Sequence, residues 1–292
     1  MRFDSYHPVI NIFYFTSVII CTIFFRHPVF VSVSYICAFL YSVKLNGKRA
    51  FIFNLCLIPF ALAHALWYSY YNHFGVTYIS QNFTGNNITL ESLVYGCVLG
   101  ITGMTVVMWF SCLYSVVSTD KIIYIFGRIS PKLSLFISII LRAVPRIKFR
   151  AGKINIAREG IGRGYCSGKI TSRAVNFISQ ISILITWTIE NFTEVSDSMR
   201  CRGYGLKKRT SFSIYRFDNR DRIFVIGLCS CMMFVLMAVM FGQVNIIYDP
   251  VIIINRPTVM SFMFYTAYVV FCMYPLVLQI VGEAKFRRLT DR

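Results

Sequence analysis

Two short basic segments hold the residues best suited to chemistry in this sequence, and both combine arginine with glycine where a helical pattern ends. The first is 157–164, Ala-Arg-Glu-Gly-Ile-Gly-Arg-Gly. The second is 196–209, Ser-Asp-Ser-Met-Arg-Cys-Arg-Gly-Tyr-Gly-Leu-Lys-Lys-Arg. Glycine ends helices readily, and a guanidinium group is a planar fork of donors that matches a carboxylate. We interpret both segments as surfaces that dock into acidic grooves of another protein.

A simpler explanation exists for each segment alone. A positive residue near a helix C-terminus complements the helix macrodipole, which is worth about 0.3–1 kcal/mol. Two such ends in one segment, each closed by glycine, favour docking instead.

The glycine-rich part of the first segment is not a nucleotide-binding loop. Gly168-Lys169 follows the glycines, but the spacing is not GxxxxGK, and Ile170 stands where Ser or Thr is required. If ATP is involved, we expect another subunit to bind it.

Neither catalysis nor metal binding is indicated. The four histidines are scattered, the ten cysteines form no CxxC pair, and no HExxH motif or paired carboxylates occur in an apolar run. His64 is the single histidine within a predicted span, and we interpret it as a hydrogen-bonded packing residue. The sequence therefore predicts a non-catalytic protein without a metal or cofactor of its own.

The composition is that of a membrane protein, because 56% of the residues are hydrophobic and only 14% are charged. Six apolar runs approach the length of a bilayer span. They cover 8–25, 29–43, 50–68, 90–117, 222–242 and 259–281. We predict an all-α polytopic membrane protein with about six transmembrane helices, of which the second is short and forms a hairpin with the first.

The basic residues predict the orientation. Of the 30 Lys and Arg residues, 20 lie in 118–222 and only Arg26 and Arg256 fall on the opposite side of a six-span arrangement. The positive-inside rule then places both termini and the long basic segment in the cytoplasm. The connection 69–90 has no basic residue and belongs outside.

The central segment contains two long amphipathic helices. Apolar residues recur at helical spacing from Leu133 to Ile154 and again from Ala174 to Met199. Pro145 should kink or divide the first helix. Both helices must bury their apolar stripes against each other, the membrane surface or a partner. We therefore predict N-terminal transmembrane helices in 1–117, a coupling domain in 118–221, and C-terminal transmembrane helices with a basic tail in 222–292.

These residues resemble a known family, the transmembrane T components (EcfT or CbiQ-like) of energy-coupling factor (ECF) transporters. The run 141–145, Leu-Arg-Ala-Val-Pro, followed by a basic helix to 162–164, is similar to the first coupling motif of that family. The run 198–205, Ser-Met-Arg-Cys-Arg-Gly-Tyr-Gly, is similar to the second, with Cys201 in place of the usual alanine and Glu194 at a matching acidic position. The resemblance covers roughly 119–220 well and the last span fairly, through Pro275 and Glu283.

The resemblance implies a scaffold that couples two cytoplasmic ABC-type ATPases, identical or different, to a small membrane-embedded S component. The S component binds a vitamin or a transition-metal ion such as cobalt or nickel, and ATP and Mg are bound by the ATPases. The chain lies in a bacterial or archaeal cell membrane. The implied ATPase-docking residues and their supporting residues are Arg163, Gly164, Arg202, Gly203, Arg158, Gly162, Cys201, Glu194 and Pro145. Whether Arg158 or Arg163 is the first docking arginine is left open by the sequence.

Two other classes of protein remain as alternatives. A conventional ABC permease subunit would line its own substrate path and dock ATPases through one short helix. An integral membrane enzyme acting on anionic lipid would need an acid–base set that the sequence lacks. Nucleic-acid binding is disfavoured, because topology explains the net charge of +18.

Overall fold

The structure is a computed structural model that describes residues 3–81, 87–164, 169–206, 215, 217–254 and 258–290. These residues form helices in chain order: α1 (Pro8–Phe24), α2 (Pro28–Asn46), α3 (Lys48–Tyr71), α4 (Leu90–Val116), α5 (Thr119–Ile129), α6 (Pro131–Gly160), α7 (Ile170–Cys201), α8 (Asn219–Met240) and α9 (Val259–Thr290). The chain divides into two compact units, one of Met1–Ser118 with Tyr215–Arg292 and the other of Thr119–Ile214.

The first unit is built from apolar helices of membrane-spanning length. Among the described residues, five helices are long and apolar enough to cross a bilayer, namely α2, α3, α4, α8 and α9. The helix α1 is equally apolar but has only 17 residues, near the lower limit for a span. The prediction of an all-α polytopic membrane protein is confirmed. The prediction that the second run is the short one is wrong, because α2 continues to Asn46 and α1 is shorter.

The interior of this unit is aromatic, with a few polar groups that find partners inside it. Trp109 of α4 is fully buried and donates its indole N–H to the hydroxyl of Ser34 at 3.0 Å. The hydroxyl of Tyr14 in α1 donates to the carbonyl of Cys272 in α9 at 2.8 Å. Such bonds are needed where no water reaches the buried polar groups. They connect α4 to α2 and α1 to α9.

Small residues allow α3 and α4 to approach closely. A Cβ atom added at Gly96 would lie 2.8 Å from the carbonyl oxygen of Ala65, and one at Gly100 would lie 2.5 Å from that of Ala61. Glycines and alanines four residues apart on facing helices are a usual packing motif in membranes.

Both helices of the first hairpin begin with a histidine followed by proline. His7 and His27 precede Pro8 and Pro28, and the Nδ1 atom of His27 accepts the backbone N–H of Val29 at 3.2 Å. Proline at the first helical position and a side-chain acceptor before it are both favourable at a helix start.

The connection 69–90 contains a two-stranded antiparallel sheet of β1 (Tyr78–Gln81) and β2 (Asn87–Thr89). Residues 82–86 between the strands lie outside the described part of the chain. His64 of α3 does not match its interpretation as a hydrogen-bonded packing residue. Its side chain is exposed and lies 6.5 Å from the ring of Tyr68, centroid to centroid.

The second unit contains α5, α6 and α7. Helix α5 is short and was not predicted from the sequence. Its Ile123 carbonyl accepts the hydroxyl of Ser134 in α6 at 3.0 Å. Pro145 lies inside α6, which continues through it as one helix and is not divided. The two long amphipathic helices predicted from periodicity are therefore present as α6 and α7.

Candidate functional site: two glycine-closed helix ends

The C-terminus of α6 ends in a hydrogen-bonded turn that requires glycine. The backbone N–H of Arg163 donates to the carbonyl of Arg158 at 2.8 Å, and that of Gly162 donates to Glu159 at 2.9 Å. Gly162 has φ +73°, in the left-handed region that other residues avoid. This pair of bonds is the Schellman motif, which satisfies the last carbonyls of a helix.

The C-terminus of α7 ends in the same way. The backbone N–H of Tyr204 donates to Met199 at 3.0 Å, and that of Gly203 donates to Arg200 at 3.0 Å. Gly203 has φ +81° and takes the place that Gly162 occupies in the first motif. Helices α6 and α7 thus both end in a Schellman motif.

The arginines do not occupy equivalent positions in the two motifs. Arg202 directly precedes the left-handed Gly203, whereas Arg163 directly follows the left-handed Gly162. The side chains of Arg163 and Arg202 are both exposed, and the structure records no side-chain partner for either within its described residues. A long, flexible guanidinium side chain can still reach outward from either place.

Arg158, the other candidate for the first docking arginine, is already engaged. Its Nη1 atom donates to the hydroxyl of Ser179 in α7 at 2.8 Å, and its Nε atom donates to the carbonyl of Arg163 at 3.2 Å. It therefore holds the end of α6 against α7, which leaves Arg163 as the available guanidinium at this end.

Further contacts show that α6 and α7 run antiparallel. The side chain of Gln180 donates to the carbonyl of Ala151 at 3.0 Å, and the guanidinium of Arg150 lies 4.6 Å above the ring of Trp187. The contacting residue numbers therefore decrease along α6 as they increase along α7. The two helix ends, with Arg163 at one and Arg202 at the other, lie at opposite ends of this hairpin.

The supporting residues take different places. Gly164 is buried, and its carbonyl accepts the side-chain N–H of Asn176 at 3.3 Å. Cys201 is the exposed last residue of α7. Glu194 is exposed on α7 and lines the space between the two helices. Pro145 lies near the middle of α6, far along the helix from Gly162.

The contact between α6 and α7 is polar, which the sequence pattern did not indicate. Asn176, Ser179 and Gln180 share one face of α7 and all bond to α6 or the residues after it. No residue of α7 is buried. Large apolar side chains of its predicted stripe stay exposed instead: Phe177, Ile178, Ile181, Ile185 and Phe192. The two helices therefore do not bury their apolar stripes against each other. The stripes are left to contact the membrane surface or a partner.

Within the described ranges, no group of three or more His, Cys, Asp or Glu side chains is arranged to hold a metal ion. The described cysteines are all free thiols, four of them buried, and Cys166 lies outside these ranges.

The fold and these helix ends define the class of the chain: an all-α polytopic membrane protein that carries a long helical hairpin with an exposed arginine at each end. No protein-family model matches the sequence. The energy-coupling factor transporter transmembrane protein EcfT of Staphylococcus aureus (strain 04-02981) is 32% identical to it over 93 residues. These residues are 32% of this chain and 35% of the relative, so the match spans about a third of the relative's length. The chain is thus similar to that EcfT protein over part of its length.

Proposed function

We propose that this chain is the T component of an ECF-type ABC transporter and links two cytoplasmic ATPases to a membrane-embedded S component. The observation that carries the proposal is the pair of glycine-closed helix ends, each presenting an exposed arginine, on one antiparallel hairpin. The partial similarity to the S. aureus EcfT protein supports the same assignment.

The placement of the two arginines suits two separate partners. A helix of 30 residues such as α6 is about 45 Å long at 1.5 Å per residue. Arg163 and Arg202 at opposite ends of the hairpin are too far apart to enter one groove. In the proposed function each enters an acidic groove on its own ATPase, where a carboxylate accepts the guanidinium fork.

The exposed apolar residues of α6 and α7 suit a partner within the membrane. Phe136 and Val144 of α6 are 61% and 59% exposed, and Ile178 of α7 is 66% exposed. In the proposed function this surface receives the S component, which carries the vitamin or transition-metal ion. ATP and Mg bind to the ATPases, and their closure moves the hairpin and reorients the S component.

The proposed function also implies where the chain is located in the cell. It lies in a bacterial or archaeal cell membrane with both termini and the hairpin in the cytoplasm, as the distribution of Lys and Arg favours. The ATPases can reach the arginines only from that side.

The test is co-purification of the ATPases with tagged variants of the chain. Arg163→Glu and Arg202→Glu should each weaken the association, and the double variant should abolish it. Loss of a hydrogen-bonded charge pair at an interface costs about 2–5 kcal/mol. Lys148→Glu is the matched control, because Lys148 is an exposed residue of α6 that lies away from both ends.

Two results would contradict the assignment. One is full retention of the ATPases by the double variant, with Lys148→Glu behaving identically. The other is tight binding of a vitamin or metal ion by the purified chain alone, since the S component should hold the substrate.

A further inference from the structure

The space between α6 and α7 forms a basic groove, here called the arginine groove. It is a cavity of about 820 Å³ whose basic residues are Arg142, Arg146 and Arg150 of α6 and Arg202 of α7. The first three are spaced four residues apart, so successive guanidinium groups start about 6 Å apart along one side of the helix. The groove therefore has a row of arginines on one wall.

This positive charge is not neutralised by the protein. Among the described residues, Glu194 is the single acidic residue that lines the groove. Neither Arg142 nor Arg146 has a carboxylate within salt-bridge distance among the residues that the structure describes, and both are exposed. Arg150 does have a partner, because its guanidinium lies 4.6 Å from the centre of the Trp187 ring. The groove thus offers unpaired guanidinium groups to an anion.

Apolar side chains form a second part of the lining, beside polar residues such as Ser138, Thr188 and Asn191. Ile139 and Ile147 of α6 and Phe192 and Val195 of α7 border the same cavity as the arginines. A small inorganic anion would leave this apolar lining in water. A molecule with a negative head and an apolar tail satisfies both parts of the lining.

The segment that contains the groove is flanked in the sequence by helices of membrane-spanning length. The second unit begins at Thr119, directly after the end of α4 at Val116, and the next helix of spanning length starts at Asn219. The hairpin is therefore attached to the bilayer on both sides in sequence. This connectivity favours a lipid of the bilayer over a soluble ligand as the occupant.

We propose that the arginine groove binds an anionic phospholipid, with its phosphate held by Arg142 and Arg146 and an acyl chain lying along the apolar lining. Arginine is the side chain best matched to phosphate, because its planar fork donates two parallel hydrogen bonds. The groove shares Arg202 with the proposed ATPase-docking end of α7. The proposed phosphate contacts, Arg142 and Arg146, are not docking residues, so this proposal does not depend on the proposed function.

The test is native mass spectrometry of the purified full chain titrated with phosphatidylglycerol, with phosphatidylcholine of the same acyl chains, and with inorganic phosphate. The variant Arg142→Gln/Arg146→Gln removes the proposed phosphate contacts. Lys132→Gln/Lys148→Gln is the matched control, since it removes the same charge from α6 outside the groove.

We expect phosphatidylglycerol to bind in preference to phosphatidylcholine. A basic residue near an anionic lipid contributes roughly fivefold in affinity, so the Arg142→Gln/Arg146→Gln variant should bind about 25-fold more weakly. The lysine control should bind nearly as the unchanged chain does. Arg142→Lys/Arg146→Lys, which keeps the charge, should retain most of the binding and guards against misfolding as the cause of a loss.

Three results would overturn the proposal. Equal binding of the two phospholipids would show that charge is not recognised. Equal loss in the arginine and lysine variants would show a diffuse effect of net charge. Binding of inorganic phosphate without binding of phosphatidylglycerol would make the groove a site for a free anion.

Discussion

The guanidinium of Arg158 donates a hydrogen bond to the hydroxyl of Ser179 at 2.8 Å, and this contact joins the C-terminal end of α6 to α7. The same side chain also donates to the carbonyl of Arg163, beyond the end of the helix. Arg158 thus stabilises the structure that presents Arg163. Two arginines five residues apart therefore differ in the contacts of their side chains.

Replacing Arg158 should loosen the hairpin. We expect Arg158→Ala to raise the hydrogen exchange of backbone amides in the last turn of α6 and around Ser179, because two hydrogen bonds worth about 1 kcal/mol each are lost. Hydrogen–deuterium exchange with mass spectrometry measures this directly. Arg163→Ala is the control, and it should leave exchange in α6 nearly unchanged. The opposite pattern would assign the structural role to Arg163.

The left-handed glycines should not tolerate a side chain. Gly162→Ala should destabilise the end of α6 by about 1 kcal/mol, because alanine is strained at φ +73°. Gly203→Ala should have a similar effect at the end of α7, where the new Cβ would also lie 3.0 Å from a methyl group of Leu206. Exchange rates of the amides after each glycine report the effect.

Gly152 provides the control for these substitutions. It lies inside α6, and an added Cβ would meet nothing within 4 Å apart from the adjoining residues and the backbone of its own helix. Gly152→Ala should stabilise the helix by about 0.5–1 kcal/mol, since glycine is costly in a helix interior. A stabilising effect at Gly162 as well would contradict the geometry of this helix end.

Close packing of α3 on α4 should make Gly100 sensitive to substitution. Gly100→Ala places a Cβ 2.5 Å from the carbonyl oxygen of Ala61, so the helices must move apart. Overpacking of this kind costs about 1–3 kcal/mol. We expect a lower melting temperature in detergent, measured by the thermal loss of monodisperse protein on size exclusion. Gly103→Ala is the matched control, because Gly103 has open space around it.

Stability should fall in mild acid because of His27. The imidazole is 5% exposed, its Nδ1 atom accepts the N–H of Val29, and its Nε2 atom lies 3.3 Å from the hydroxyl of Tyr265. Burial lowers the pKa of His27 below its ordinary value of 6.5. The unfolded chain therefore binds a proton more readily than the folded chain does. The stabilisation of the folded state by neutral His27 is complete above pH 6.5. It is lost as the pH falls from there toward the pKa of His27 in the folded chain.

The measurement is the melting temperature between about pH 7.5 and pH 5.5. His27→Asn retains a side chain that can accept the N–H of Val29 but does not titrate in this range. We expect a shallower dependence on pH for this variant. An unchanged slope would mean that other groups cause the loss of stability.

Much of the membrane unit could be predicted from hydropathy, because each span must be apolar over a bilayer's thickness. The apolar runs place α3, α4 and α8 within a few residues of their observed bounds. The ends of α2 and α9 extend beyond the apolar runs, since a helix can continue into water with polar residues. Helix α5 is amphipathic but was not predicted, because its eleven residues are too short for a bilayer span and follow directly on the apolar run of α4.

The two helix ends could be predicted from the sequence, whereas the docking role of their arginines stays a prediction. Both helix ends are marked in the sequence by arginine and glycine where a helical pattern stops. Glycine marks them because it readily adopts the left-handed conformation that ends a helix. The pattern did not separate Arg158 from Arg163. That distinction depends on Ser179, which is distant in sequence and near only because α7 folds back along α6.

The sequence by itself determined that this is a polytopic helical membrane protein with two amphipathic helices that end in arginine and glycine. Composition and periodicity are properties of neighbouring residues in the sequence. Helix formation and membrane burial depend mainly on such local properties, so they can be predicted from the sequence. Only the tertiary structure decided that the helices meet through polar residues and leave their apolar stripes exposed. Pairing of helix faces depends on contacts between distant residues such as Gln180 and Ala151, and no local pattern specifies them.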